Sequence, residues 1–189
     1  MNQYNNTALL LIDVQKGFDE STWGKRNNLE AEENIALLLA SWRKNALPII
    51  HIRHNSTNKT SPLHPSHKGN EFKEIAKPLE SEVVFGKNVN SAFIGTDLQN
   101  YLNKNNINQL VILGLTTDHC VSTTTRMAAN LGFEVTLVSD ASATFDRTDQ
   151  KGNYYSAETM HTINLVSLDG EFCQVKLTNE LLEETKNVS

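Results

Sequence analysis

A chain of 189 residues, 39% of them hydrophobic and 21% charged, can bury the core of one α/β domain and does not have the composition of a disordered segment. Its 17 basic and 22 acidic residues give a net charge of −5 without a basic block, which argues against a nucleic-acid footprint. The two cysteines, Cys120 and Cys173, form no CxxC pair, so neither a zinc ribbon nor a disulfide framework is expected.

The opening residues have no positive region, and the apolar run Ala8–Ile12 is too short for a signal peptide or a membrane span. A cytoplasmic protein without membrane contact is expected. The stretch 8–14 reads as a strand buried on both faces. Ile35, Leu38, Leu39 and Trp42 fall at helical spacing and predict an amphipathic helix over 34–44. A second strand is expected at 47–52, followed by a long polar loop from His54 to Lys68 that carries Pro62 and Pro65. Long loops in compact domains are often functional. A short strand at 82–85, a helix at 96–104 and a strand at 109–113 come next. The turn Gly114-Leu115-Thr116-Thr117-Asp118 leads into a helix that runs to about Leu131. The strand at 134–138 ends at Ser139-Asp140. A helix over 155–165 and a last strand at 172–177 complete a single domain over 1–189, with its core at about 7–177.

Strands that alternate with helices imply a mostly parallel sheet in a three-layer α/β/α sandwich of Rossmann-like type. Ligands of such sheets bind beyond the carboxyl ends of the strands. Asp13, His54, Lys87, the Thr116–Cys120 turn and Asp140 all fall there. The turn after Val14 has only Gly17, and no GxGxxG or Walker pattern exists, which excludes a nucleotide-binding reading.

Of these residues, Asp13, Lys87 and Cys120 can do chemistry together. Singly each has an ordinary reading: an Asp after a strand caps turns, a Lys is a solvated charge, a cytosolic Cys is a small core residue. Asp118 is a good N-cap, and that would put Cys120 in the first turn of the following helix. There backbone N–H groups and the helix dipole favour a thiolate and can receive an oxyanion. Lys87 nearby would lower the thiol pKa further, so fast alkylation well below the ordinary ~8.5 is expected. Asp13 could accept and return the proton. Cys173, in an alternating stretch, reads as packing.

At this point the residues resemble a known family. Ala8-Leu9-Leu10-Leu11-Ile12-Asp13-Val14-Gln15-Lys16-Gly17-Phe18 is similar to the opening strand of isochorismatase-like hydrolases, with its DxQxxF pattern. Lys87-Asn88-Val89-Asn90-Ser91-Ala92-Phe93 resembles the family's Lys-x-x-x-Ser-Ala-Phe segment. Gly114-Leu115-Thr116-Thr117-Asp118-His119-Cys120 resembles its Gly-x-x-x-Asp-x-Cys turn, and Val138-Ser139-Asp140-Ala141 the segment after the next strand. The likeness runs from about residue 7 to about residue 176.

The resemblance implies that Asp13 is the general base, Lys87 its electrostatic partner and Cys120 the nucleophile. It also implies a non-proline cis peptide at Leu115–Thr116, with the Thr116 and Cys120 amides as the oxyanion hole. The implied reaction is hydrolysis of a C–N bond in a small amide-like molecule through a Cys120 thioester. A homodimer or higher homo-oligomer is implied as well. Phe18, Trp23, His54, Phe93, Thr117 and His119 are candidate substrate contacts; Trp23 could equally pack on a helix, and His119 could lie behind the nucleophile or at an interface. Four histidines, His51, His54, His64 and His67, lie in or before the long loop. Nicotinamidases of this family carry an Asp-x-His pair after the second strand, but here His54-Asn55-Ser56 lacks both ligands. No metal and no cofactor is expected. Trp23, Glu33-Asn34-Ile35, Trp42-Arg43 and the segment from Val89 to Thr96 resemble a branch that includes streptothricin hydrolase-like proteins, for which a lactam or other cyclic amide is implied. Two alternatives stand beside C–N hydrolysis: a vinyl-ether hydrolase of isochorismatase type, whose relatives typically lack the cysteine, and a non-catalytic binding module on the same fold.

Overall fold

Every residue of the first strand, β1 (Thr7–Ile12), is buried. Ala8, Leu10 and Ile12 point into one apolar cluster, and Leu9 and Leu11 into another. A strand covered on both faces has no polar side to show, which is why its sequence is an unbroken apolar run. The computed structural model describes residue 4 and residues 6–186.

Around β1 lie β2 (Ile49–His54), β3 (Val83–Lys87), β4 (Gln109–Leu115), β5 (Glu134–Ala143) and, at the far edge, β8 (Gln174–Lys176). The six strands run parallel in the order β3-β2-β1-β4-β5-β8. The helices α1 (Ala31–Lys44) and α5 (Thr178–Lys186) cover one face, through Ile35, Leu38, Leu39, Trp42 and Leu181. The helices α2 (Leu98–Lys104), α3 (Ser122–Asn130) and α4 (Ala157–Leu168) cover the other, through Leu98, Leu102, Ala128 and Leu168. This is the three-layer arrangement that the alternation of strands and helices implies. Among the described residues no helix is long and apolar enough to cross a membrane.

Strand order reverses between β1 and β4. From β1 the chain steps outward through β2 to β3, then returns to β4 on the other side of β1. A crevice opens at the carboxyl ends of strands where the order reverses in this way. Gly114 lets β4 come close there: its φ is +123°, and a Cβ on it would lie 2.1 Å from the carbonyl oxygen of Ile12.

Several boundaries differ from the expected ones. β5 does not end at Ser139-Asp140 but continues to Ala143, with a register shift against β4 between Ile112 and Gly114. The Asp140 carboxylate turns away from the rim and binds the Thr178 amide and hydroxyl, both at 2.8 Å, where α5 begins. That helix was not expected, and Leu181 makes it part of the core. The segment expected to open a helix at Tyr155 instead forms a small antiparallel hairpin, β6 (Arg147–Thr148) with β7 (Tyr154–Tyr155). Helix α4 starts after it at Ala157, and Ser156 caps it by accepting from the Thr159 amide at 3.1 Å.

The edge strand β3 is held at its start by Glu82. This carboxylate accepts from Arg43 of α1 at 2.6 Å, meets His51 of β2 at 2.9 Å, and accepts from the Leu79 amide at 2.9 Å. Burial alone would raise its pKa, but these donors outweigh that and hold it down to about 2. A carboxylate whose pKa is lower in the folded state stabilises the fold above its unfolded value of ~4.3, and the gain is lost as pH falls towards the folded value. Glu82→Gln should therefore cost roughly 2–3 kcal/mol in urea unfolding at pH 7 and less than half of that at pH 3. A cost equal at both pH values would show that the charge of Glu82 contributes nothing. Gly114→Ala should cost roughly 3 kcal/mol or more in the same assay, since backbone must move to admit the methyl group; a cost below ~1 kcal/mol would mean β4 is free to shift.

Candidate active site

Four neighbouring strands deliver four side chains to one point. Asp13 follows β1, His54 ends β2, Lys87 ends β3, and Cys120 stands in the turn after β4. His54 and Lys87 are register partners across β2 and β3. Asp13 takes a left-handed φ of +51°, and its amide donates to the Ile52 carbonyl at 3.0 Å, which turns the chain out of the sheet at this residue.

Lys87 is the hub. Its Nζ lies 2.6 Å from Asp13 Oδ2, 3.0 Å from His54 Nδ1 and 3.2 Å from Cys120 Sγ. An ammonium has three hydrogens and no lone pair, so these three neighbours use all it can donate. His54 Nδ1 must then accept, and the ring proton sits on Nε2. Burial, and next the charge of Lys87, push His54 down to about 4, so it is neutral at pH 7. Asp13 and the Lys87 side chain are fully buried, and Cys120 is 7% exposed.

Burial raises the Asp13 carboxyl above the ordinary carboxylate range, while the charge and hydrogen bond of Lys87 and the Cys120 thiol act the other way. Its Oδ1 is buried without an N–H or O–H partner among the described residues. The Cys120 thiol is pushed strongly up, first by burial and then by the charge of Asp13, against the opposing pull of Lys87. This reverses the expectation of a low thiol pKa. The ammonium is present as expected, but it already neutralises Asp13, and a thiolate would be a second anion in a dry site. Cys120 is a buried thiol beside a carboxyl group placed to exchange its proton.

Cys120 does not stand in the first turn of an α-helix either. Thr117–Val121 forms a wider π turn, and α3 begins only at Ser122. Asp118 is not the N-cap. Its carboxylate accepts from Thr144 Oγ1 at 2.5 Å and from Arg147 Nε at 3.0 Å, which ties the turn to the end of β5 and to the hairpin. The peptide between Leu115 and Thr116 is cis.

The other candidate contacts are scattered. Phe18 and Trp23 lie together, with ring centroids 5.1 Å apart, and Phe145 stacks on Trp23 at 5.7 Å. This group packs with Leu115, the residue before the Thr116–Cys120 turn. Phe93 is buried and stacks on Phe133 at 5.8 Å. Thr117 is buried, with its hydroxyl 2.8 Å from His161 Nδ1. His119 is exposed beside Asp118.

Three residues at the site went unnoticed in the sequence. Gln15 accepts from the His54 amide at 2.8 Å and donates to the His54 and Asn70 carbonyls at 3.1 and 2.9 Å. Its signal was its place in the DxQxxF pattern, two residues after Asp13, to which no role was attached. Asn90 places Oδ1 3.8 Å from Cys120 Sγ while itself exposed, so it reaches the thiol from the solvent side. Phe145 went unseen because the strand before it was ended too early.

The four histidines do not meet at one point, although His64 and His67 lie edge to face with ring centroids 6.1 Å apart. His51 is buried against Glu82, His64 meets Ser66, and His67 meets the Lys59 carbonyl. Asp13, His54 and Cys120 do offer ligand atoms within 4.8 Å of one another. The Lys87 ammonium touches all three, so a cation of the protein's own already stands where a metal ion would.

Residues 7–165 match the isochorismatase domain family. The isochorismatase family protein YrdC of Bacillus subtilis (strain 168) is 49% identical over 177 residues, which cover 94% of this chain and 95% of that one. A crystal structure of a hydrolase of the isochorismatase family from Chromobacterium violaceum ATCC 12472 matches with a TM-score of 0.95 at 42% identity, covering 98% of this chain and 96% of that one. Nicotinamidase 3 of Arabidopsis thaliana is 30% identical over 152 residues, 74% of each chain.

The charge balance at Cys120 predicts an unusual alkylation pattern. Wild-type Cys120 should react slowly with iodoacetamide at pH 7, as should Cys173, whose thiol burial and Asp169 push up to about 12. Asp13→Asn removes the anion that competes for Lys87 and should speed Cys120 labelling at pH 8 by about tenfold or more. Peptide-resolved mass spectrometry over a pH series reads both sites at once. Rapid labelling of wild-type Cys120 at pH 6 to 7, unchanged in Asp13→Asn, would contradict this balance.

Proposed function

The chain belongs to the isochorismatase family, a family of hydrolases, and we propose that this member is a cysteine hydrolase cleaving a C–N bond of a small amide-like molecule. The observation that carries the reading is the single ammonium of Lys87 in contact with both Asp13 and Cys120 in a buried site. A carboxylate, a thiol and a fixed cation in mutual contact make a proton-transfer pair whose charge separation is stabilised in place.

In this mechanism the Asp13 carboxylate takes the thiol proton as Cys120 Sγ attacks the carbonyl carbon. The carbonyl π pair moves to oxygen, and the resulting oxyanion is received by the amides of Thr116 and Cys120. Collapse breaks the C–N bond, whose electron pair leaves with nitrogen, and Asp13 returns the proton to that nitrogen. The freed amine departs and a thioester remains on Cys120. Asp13 then takes a proton from water as its oxygen adds to the thioester carbon. The C–S bond breaks, sulfur takes the proton back, and a carboxylic acid is released. The Lys87 ammonium holds the anion wherever it resides, on Asp13 or on sulfur. Neutral His54, with its Nε2–H, and Asn90 are the polar groups available to orient the substrate beside Sγ.

A panel of primary amides, lactams and ureides, screened with and without hydroxylamine, tests the covalent path. Hydroxylamine should divert turnover to a hydroxamate, since it intercepts a thioester. Cys120→Ala should lower turnover by at least about 10³-fold with the fold intact by circular dichroism. If hydrolysis persists in Cys120→Ala, or if only a vinyl ether is cleaved and no hydroxamate forms, the thioester path is wrong for this protein.

A further inference from the structure

Next to His54, β2 presents Arg53, and neighbouring residues of a strand point to opposite faces of the sheet. Arg53 therefore turns away from the catalytic rim. Its guanidinium carbon lies 4.5 Å from the centroid of the Phe72 ring. Its Nε is buried without a hydrogen-bond partner among the described residues. The buried Nε is closed to an incoming group, so the terminal Nη groups of the stacked guanidinium are the donors that a planar acceptor can reach.

Arg53 and Phe72 line a cavity of about 590 Å³ together with Pro65, Lys68, Pro78 and Val84. Two carboxylates, Glu71 and Glu74, also line it, but both are engaged elsewhere: Lys16 lies 2.7 Å from Glu71 and 3.1 Å from Glu74, and Lys77 lies 3.7 Å from Glu74. Lys68 already lies in the field of Glu71, and Arg53 remains as the cation that these acids do not pair among the described residues. The volume is that of a small-molecule site; Pro65, Phe72, Pro78 and Val84 give it apolar wall, and the rest of the lining is polar or charged.

We propose that this cavity binds a small planar organic carboxylate, separately from the catalytic rim. The carboxylate accepts from the two terminal Nη groups of Arg53, with Lys68 as a second cation. The planar body lies among Phe72, Pro65 and Pro78. The proposal does not depend on the reaction at Cys120.

Benzoate is the probe, with benzyl alcohol as its uncharged counterpart. Calorimetry on the full chain should give saturable one-to-one binding of benzoate with a Kd of about 1 mM or tighter, and the Arg53 Nε–H resonance should shift along the same isotherm. Benzyl alcohol should bind at least about tenfold more weakly, and Arg53→Gln should weaken benzoate by about tenfold or more. If Arg53→Gln does not fold, the wild-type Nε–H titration decides alone. Absence of saturation, equal binding of benzyl alcohol, or shifts confined to His54 and Cys120 with Arg53 Nε–H unmoved would each overturn the proposal.

Discussion

The site depends on one buried ammonium. Removing a lysine from water costs several kcal/mol unless its charge and its hydrogens are met. Lys87 is met by a carboxylate, an imidazole nitrogen and a sulfur, delivered by the ends of three other chain segments. The sheet order β3-β2-β1-β4 is what sets those ends side by side. Loss of any acceptor leaves a buried donor facing nothing, so the chemistry and the closure of this end of the sheet rest on the same contacts.

That constraint also explains the protonated state of the Cys120 thiol. A dry pocket with one cation stabilises one anion well and a second anion poorly. Burial and the charge of an ionised Asp13 both keep the Cys120 thiol protonated. Transfer of the proton from sulfur to Asp13 moves the anion from one side of Lys87 to the other without changing the net charge of the site. Coupled groups of this kind titrate together, and no single value belongs to the sulfur alone.

Much of this was legible in the sequence. The unbroken apolar run of β1 predicts a strand covered on both faces, and its two sets of side chains do enter two different cores. The positions of Asp13, Lys87 and Cys120 after strands were readable because strand ends share one rim in a parallel sheet. What could not be read came from tertiary context. Asp118 has the chemistry of an N-cap, but Thr144 and Arg147, distant in sequence, claim its carboxylate. The thiol pKa was misjudged because a nearby lysine suggests a depressed value, whereas burial and the neighbouring carboxylate decide the sign. Ser139-Asp140 looks like a strand end because Ser and Asp favour turns, yet Asn34 binds the Asp140 carbonyl and Asp140 itself anchors α5, so the strand runs on. The family resemblance carried the roles further than spacing alone allowed.

Gln15 shows how the chain leaves the sheet without tearing it. When β1 departs at Asp13 to form the site, the amide and carbonyl of His54 lose the neighbour that a longer strand would have supplied. The carboxamide of Gln15 has one acceptor and one donor end, and it meets both groups as a peptide unit would. A side chain here serves as a prosthetic length of backbone, which frees the real backbone to carry Asp13 towards Lys87. The spacing of Asp13 and Gln15 follows from this substitution: the carboxamide must reach back to the register at which the strand stopped. Glutamate, though equal in size, has two acceptor ends and would set one of them against the His54 carbonyl. Shape alone does not make a residue interchangeable at this point; the order of donor and acceptor does.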